Sequence, residues 1–212
     1  SEIIKSGASV DEHTAYGRYI HEAGSRLLGI LNDVLTLARI EAGKLELDEQ
    51  IASLDEVLSA SVRARRVEAE AKSITIRREP GPDNFVFLDP SKMKQAFDHL
   101  LSNAVKFTAT GGDVSIATAV NDMGNDAGKL VVTIRDTGCG IPADYLDRVL
   151  EPFGQVEDHL TRENEGVGLG LPLARAIAGL HGGTLSLSSE LGVGTAVAVA
   201  LPSARLRITP AG

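Results

Sequence analysis

The chain has 212 residues, of which 43% are hydrophobic and 24% charged, and its 21 basic and 29 acidic side chains give a formal net charge of −8. Such a chain can bury a core without cross-links, and its acidic charge, its 4% aromatic content and its lone Cys139 exclude a general nucleic-acid-binding protein and a disulfide scaffold. No stretch approaches the ~20 apolar residues of a membrane helix, so we expect a cytoplasmic chain that reaches a membrane only through segments not present here.

The first predicted element is one long helix. Apolar residues recur at helical spacing over residues 15–43, and Gly43 ends the pattern. The apolar stripe is too wide for a single helix to bury alone, so we expect a bundle, formed within the chain or with a second copy. Gly7 to Val10 read as a connection that precedes this helix.

After residue 48 the pattern changes and predicts an α+β domain, with several helices on one face of a mostly antiparallel sheet. A third helix opens at Asp89, and a further helix is expected after Pro142. The other predicted elements are helices at 54–72 and 171–181 and strands at 74–76, 85–88, 113–120, 130–136, 184–189 and 195–201.

The third helix carries a polar face with a chemical meaning. His99, Asn103 and Lys106 are spaced so that they share one side of the helix. An amide oxygen suits Mg²⁺, and a lysine can meet a phosphate as a point charge. Taken alone, the same pattern also describes an ordinary solvated helix face.

Asp136 follows an apolar strand and opens the segment Asp136-Thr137-Gly138-Cys139-Gly140-Ile141. A carboxylate at a strand end can accept a hydrogen bond from an exocyclic amine such as that of adenine, and the two glycines let backbone approach a ring. A strand followed by a glycine turn is the simpler alternative.

Two further glycine-rich segments follow. Gly166, Gly168 and Gly170 alternate just before a helix, where bare N–H groups and the positive helix end suit a phosphate. The spacing matches neither a Walker motif nor a dinucleotide fingerprint, and a hinge without a ligand is the alternative. Gly192-Val193-Gly194-Thr195 reads by itself as a turn before the last strand.

Taken in order, these segments resemble the ATP-binding domain of two-component sensor histidine kinases, most closely alphaproteobacterial kinases of the PleC and DivJ kind. Residues 40–45 are similar to the end of the second helix in the dimerisation and phosphotransfer hairpin of that family. The matching motifs are Asn103 (N box), Asp136-x-Gly138-x-Gly140 (G1), Glu151-Pro152-Phe153 (F box), Gly166-x-Gly168-Leu169-Gly170-Leu171 (G2) and Gly192-x-Gly194-Thr195 (G3).

The resemblance implies a Bergerat-type ATP-binding α/β sandwich of the GHKL superfamily, preceded by a long helix of a dimerising helical hairpin. The implied organisation is a partial dimerisation and phosphotransfer region at 1–48, an ATP-binding catalytic domain at 49–205 and a tail at 206–212. The implied activity is transfer of the γ-phosphate of Mg-ATP to a protein histidine, for relay to the aspartate of a response-regulator receiver domain. The implied assembly is a homodimer through the N-terminal helical region.

The same resemblance assigns roles within the site. Asp136 would contact the adenine amine and Asn103 would hold Mg²⁺, with Lys106 near the phosphates. Arg162 would be a phosphate contact in a lid at 154–165. The alternative is that Arg162 is only an exposed charge on this loop. The remaining implied residues are Phe107 and Ile141 as walls of the base, Gly138 and Gly140 beside it, Gly166, Gly168 and Gly170 as lid hinges, Leu169 and Thr195 within the nucleotide boxes, and Phe153 as packing for the lid base.

The chain departs from the family at two points. Neither His13 nor His21 stands in a phosphoacceptor box of the His-Glu/Asp-x-x-x-Pro form, so we expect no autophosphorylation by these residues alone. His99 stands where the family usually has Asn, and it could act as a base, bind the metal or spoil the metal site. The alternatives left open are an inactive kinase homologue that acts as a scaffold for regulators and an ATP-hydrolysing machine of the gyrase or Hsp90 type.

Overall fold

The structure, a computed structural model, describes residues 10–79, 81, 84–121, 128–156 and 167–207. The helices are α1 (Val10–Glu41), α2 (Leu54–Ala71), α3 (Pro90–Phe107) and α4 (Gly170–Leu180). The strands are β1 (Gln50–Ser53), β2 (Thr75–Arg78), β3 (Phe85–Leu88), β4 (Asp113–Asn121), β5 (Lys129–Asp136), β6 (Thr184–Glu190), β7 (Gly194–Leu201) and β8 (Leu206–Arg207).

The strands form two sheets. The larger sheet has the order β2-β4-β5-β7-β6 and is antiparallel except where β2 runs parallel to β4. The smaller sheet has the order β1-β3-β8, with β3 antiparallel to both neighbours. The α+β class is therefore confirmed, but β1 and β8 were not expected from the sequence. Leu206 pairs with Val86 and packs against the core, so the folded chain continues into residues 206–207, which were expected to belong to the tail.

Helices α2, α3 and α4 pack on the apolar face of the larger sheet. In α3, Met93, Phe97 and Leu101 stand at helical intervals and are fully buried. Asp89 caps this helix by accepting hydrogen bonds from Ser91 N and Lys92 N. The two layers share one hydrophobic core, which fixes α3 and α4 relative to the ends of β5 and β7.

The prediction of a helix after Pro142 is wrong. The chain instead forms two separate three-residue 3-10 turns at Ala143–Tyr145 and Arg148–Leu150. Only Val149 is buried in these turns, so no apolar stripe stabilises a continuous α-helix here.

The C-terminal half of helix α1 packs against the α+β domain. Leu37 is buried, Ile30 and Ile40 lie against the core, and the helix contacts α4. Val10, expected in a connection, is already helical, whereas residues 7–9 lie outside the described ranges. Much of the apolar stripe stays exposed, including Leu27, which is 63% exposed. Among the helices of the described ranges, none is long and apolar enough to cross a membrane.

A buried polar network ties the segment after α1 to the domain. Asp89 accepts a hydrogen bond from Asp48 N (3.0 Å), and its own N–H donates to His181 Nε2 (3.0 Å). Since Nε2 accepts, Nδ1 of His181 carries the proton and donates to the Ile177 carbonyl (2.8 Å). Burial lowers the pKa of His181, so this histidine at the end of α4 is neutral.

Candidate functional site

The site is organised around Asp136, the last residue of β5. One carboxylate oxygen, Oδ1, accepts hydrogen bonds from Gly138 N (2.8 Å) and Thr195 N (3.2 Å). Thr195 is placed for this contact because it stands opposite Asp136 in the β5–β7 ladder. Within the described residues, the other oxygen, Oδ2, makes no hydrogen bond, so it can accept one from a ligand.

Burial and hydrogen bonding act in opposite directions on the pKa of Asp136. Burial raises the pKa of this carboxyl above its usual range, while the N–H groups of Gly138 and Thr195 act in the opposite direction. Because the pKa of Asp136 is higher in the folded chain than in the unfolded one, its contribution to stability is present at low pH. That contribution is lost as the pH rises through the folded-state pKa and the carboxyl ionises. A partly buried carboxylate with one unused oxygen suits a ligand donor better than a structural role.

Two glycines make the loop after Asp136 fit its surroundings. A side chain on Gly138 would place its Cβ 2.6 Å from the Phe107 carbonyl oxygen and 2.7 Å from Asp136 Oδ1. Gly140 has a φ of +71°, and a Cβ added to it would clash with the Glu190 carbonyl, so both space and backbone conformation require glycine there.

Backbone hydrogen bonds fasten this loop on two sides. Cys139 N donates to the Phe107 carbonyl at the end of α3 (3.3 Å), and the Cys139 carbonyl accepts from Gly192 N (2.7 Å). Ile141 N donates to Ser189 Oγ (2.8 Å), whose oxygen also lies 2.9 Å from Thr195 Oγ1. The structure thus brings together the expected set of Phe107, Asp136, Gly138, Gly140, Ile141 and Thr195, and it adds Ser189, for which the sequence carried no motif.

The C-terminal end of α3 is fixed by a lysine that the sequence did not single out. Lys72 Nζ donates to the carbonyl oxygens of Val105 (3.0 Å), Lys106 (2.7 Å) and Thr108 (3.4 Å). A cation at this helix end also complements the negative end of the helix dipole. Lys106 and Phe107 are the last two residues of α3, so Lys72 holds the backbone of two expected site residues in place. Lys106 Nζ lies 4.8 Å from the centre of the Phe107 ring.

Asn103 and His99 lie beside the N-terminus of α4, which begins at Gly170. A Cβ added to Gly170 would lie 3.4 Å from His99 Nδ1 and 3.6 Å from Asn103 Nδ2. This arrangement places an amide and an imidazole next to a helix end that favours anions. With the Asn103 amide flipped so that its oxygen faces this space, the two side chains offer an oxygen and a nitrogen ligand, a donor set that fits a divalent cation bound together with a phosphate.

The remaining expected site residues are placed unequally. Gly168 accepts a hydrogen bond from Phe153 N (3.0 Å), and Phe153 is 60% exposed. The side chain of Leu169 is buried in the core, so this residue would meet a ligand through its backbone. Arg162 and Gly166 lie outside the described residues.

Comparison with known proteins identifies the same region. The family model for histidine kinase-, DNA gyrase B- and HSP90-like ATPases matches residues 88–205, more than half of the chain. Histidine protein kinase DivJ of Caulobacter vibrioides is 38% identical over 206 residues, covering 95% of this chain and 34% of that protein. Cell-division control histidine kinase PdhS of Brucella abortus is 32% identical, covering 92% of this chain and 19% of that protein. The chain spans about a third or less of these relatives.

Solved structures agree on the fold. Full-length ShkA in complex with AMPPNP matches with a TM-score of 0.75 and 27% identity, covering 94% of this chain and 40% of that one. The Acinetobacter baumannii histidine kinase AdeS matches with a TM-score of 0.74 at 19% identity, covering 95% and 89%. The chain therefore belongs to the histidine kinase-, DNA gyrase B- and HSP90-like ATPase family, and within it to the two-component sensor histidine kinases of alphaproteobacterial type.

Proposed function

We propose that this chain is the ATP-binding catalytic portion of a sensor histidine kinase, which transfers the γ-phosphate of Mg-ATP to a protein histidine for relay to a response-regulator aspartate. The observation that carries the proposal is Asp136, whose Oδ1 is fixed by two backbone N–H groups while Oδ2 has no hydrogen bond within the described residues. An acceptor held this way selects a base with an exocyclic amine.

The adenine end follows from the surroundings of that carboxylate. Phe107 and Ile141 would form the walls of the adenine pocket, because hydrogen bonds hold the loop after Asp136 beside both. Cys139 N donates to the Phe107 carbonyl, and Ile141 N donates to Ser189 Oγ. Gly138 and Gly140 keep the loop clear of side chains, and Thr195 fixes Asp136 from the neighbouring strand.

The phosphate end would lie between α3 and α4. Asn103 would hold Mg²⁺ through its amide oxygen, and Lys106 would lie near the phosphates. The start of α4, with Gly168 and Gly170, offers N–H groups to an anion, and Arg162 and Gly166 are proposed for the lid. When bound, Mg²⁺ neutralises negative charge on the phosphates, and the protein residues orient the nucleotide and exclude water.

The proposal includes the organisation and partners of the chain. Residues 1–48 are a dimerisation and phosphotransfer region, and the ATP-binding catalytic domain begins at 49. The exposed apolar face of α1, with Ile20, Leu27 and Leu31, would pair with a second copy to form a homodimer. The receiver domain of a response regulator is the proposed downstream partner.

The first experiment is a titration with a fluorescent ATP analogue, with and without Mg²⁺. We expect wild-type binding to strengthen with Mg²⁺ and binding by Asp136→Asn to be lost, because the new amide N–H₂ would face the adenine amine. Asp144→Asn is the matched control, since Asp144 is exposed and outside the site. Equal affinity in both variants would refute the nucleotide assignment.

A second experiment separates a kinase from a scaffold. The chain is mixed with a histidine-box domain of a related kinase and radiolabelled ATP. Labelling of that domain's histidine, absent with Asp136→Asn, is expected for a kinase. Nucleotide binding without any labelling would favour the inactive homologue that binds regulators.

A further inference from the structure

Asp33 joins α1 to the nucleotide face of α3. Its Oδ1 lies 3.2 Å from His99 Nε2 and accepts a second hydrogen bond from Gln95 Nε2, also at 3.2 Å. The side chains of His99 and Asp33 are only 23% and 19% exposed, so water competes weakly for this contact. Gln95 holds the carboxylate in place, and the carboxylate in turn holds the imidazole.

This contact decides which nitrogen of His99 carries the proton. A carboxylate oxygen can only accept, so Nε2 of the neutral imidazole must be the protonated nitrogen. Nδ1 is then left with a bare lone pair. Within the described residues Nδ1 has no hydrogen-bond partner, and it faces the space beside Gly170, where an added Cβ would approach it to 3.4 Å.

The same space is lined by the amide of Asn103, whose Nδ2 lies 3.6 Å from that Cβ position. A histidine that binds a metal through one nitrogen characteristically donates its other N–H to a carboxylate, which fixes the ring and raises its basicity. Asp33 and His99 have this relation, and a flip of the Asn103 amide, one helical turn away, would turn its oxygen toward the same space as a second ligand. The missing side chain at Gly170 leaves the space open.

We propose that Asp33 is a positioning residue of the nucleotide site, which holds His99 as a nitrogen ligand for the divalent cation bound with ATP. The inference rests on the proposed function and deepens it. A nitrogen ligand favours first-row transition ions over Mg²⁺, which prefers oxygen. The site therefore binds nucleotide more tightly with Co²⁺ or Mn²⁺ than with Mg²⁺, and this preference requires α1 to be seated on α3.

The direct test is pulsed electron paramagnetic resonance of Mn²⁺ bound to the chain with ATP. We expect nitrogen coupling typical of a bound imidazole in the wild type and none in His99→Asn. Binding of nucleotide and Mn²⁺ without nitrogen coupling would overturn this inference alone. Failure of nucleotide to bind with any metal would overturn the proposed function and this inference with it.

A second measurement tests Asp33. Affinity for the fluorescent ATP analogue is measured in Co²⁺ and in Mg²⁺ for Asp33→Ala and for Glu41→Ala, which removes the same charge from an exposed position on α1. We expect Asp33→Ala to lower the Co²⁺-supported affinity by about tenfold and the Mg²⁺-supported affinity much less. Unchanged Mg²⁺-supported affinity also shows that the variant is folded. An equal Co²⁺-to-Mg²⁺ ratio in both variants would overturn the role of Asp33.

Discussion

The proposed adenine side and the proposed phosphate side of the site are built differently. The adenine side lies within one sheet, where Asp136 is held by the backbone of Gly138 and Thr195. The phosphate side lies between α3 and α4 and reaches α1 through the contact of His99 with Asp33. The first is fixed by local backbone hydrogen bonds, whereas the second depends on a helix from another part of the chain. Base recognition should therefore be insensitive to α1, and metal binding should respond to it.

The largest effect is expected on the adenine side. Asp136→Asn should weaken nucleotide binding by about 100-fold or more, because a charged hydrogen bond is replaced by two opposed donors. Because burial raises the pKa of Asp136, ionised Asp136 destabilises the empty fold at neutral pH. The same variant should thus unfold at an equal or higher denaturant concentration. A loss of stability at pH 7 together with the loss of binding would contradict this account of Asp136.

The end of α3 serves both sides, so its cap is the next test. Lys72→Met should lower the free energy of unfolding by about 1.5–3 kcal/mol, because it removes a cation that binds three carbonyl oxygens. Nucleotide affinity should also fall, since Lys106 and Phe107 end this helix. Urea unfolding measures the first effect, and the exposed Lys44→Met is the matched control. Equal unfolding midpoints for the two variants would refute the capping role.

The third test concerns the joint between α1 and the domain. The pKa of His181 is lowered in the fold, so unfolded chains bind the proton first as pH falls below about 6.5. The stability from neutral His181 is fully present above that pH and is lost as pH falls toward the folded-state pKa. His181→Gln should be less stable but should have a flatter stability profile between pH 7.5 and 5.5. The exposed His21→Gln should keep the wild-type slope; a wild-type slope in His181→Gln would contradict the prediction.

The smallest effects are expected for two glycines of α4, one with open space around it and one that faces the site. Gly179 has no atom within 4 Å of an added Cβ, so Gly179→Ala should raise the free energy of unfolding by about 0.5–1 kcal/mol without changing nucleotide affinity. Gly170→Ala should weaken metal-supported nucleotide binding several-fold, because its Cβ would occupy the space beside His99 and Asn103. Thermal unfolding and the fluorescence titration measure both variants. Unchanged affinity in Gly170→Ala would place the cation elsewhere.

Sequence patterns predicted the parts of the fold that depend on local spacing. The buried face of α3 follows from apolar residues such as Phe97 and Leu101 at helical intervals, and β4 and β5 follow from alternation. β1 and β8 could not be predicted, because four-residue and two-residue strands carry no periodicity and form only where β3 lies between them. The 3-10 turns after Pro142 could not be predicted, because a segment with a single buried residue looks the same in sequence as a short helix.

The site shows the same division. Asp136 and the glycines after it could be predicted, because they lie together in one short segment whose residue types point to a binding loop. Lys72, Ser189 and Asp33 could not be found, because each acts on a residue more than thirty positions away and is an ordinary polar residue in its own segment. Their roles follow from tertiary packing, which no spacing rule contains.

The most direct test of the account is the ratio of affinities for ATP and inosine triphosphate, measured by calorimetry for the wild type and Asp136→Asn. Inosine carries a carbonyl oxygen where adenine carries its amine, so it offers an acceptor to an acceptor in the wild type and suits the amide N–H₂ of the variant. We predict strong preference for ATP in the wild type and a ratio near or below one in Asp136→Asn. Equal wild-type affinity for the two nucleotides would contradict the central claim that Asp136 accepts a hydrogen bond from the adenine amine.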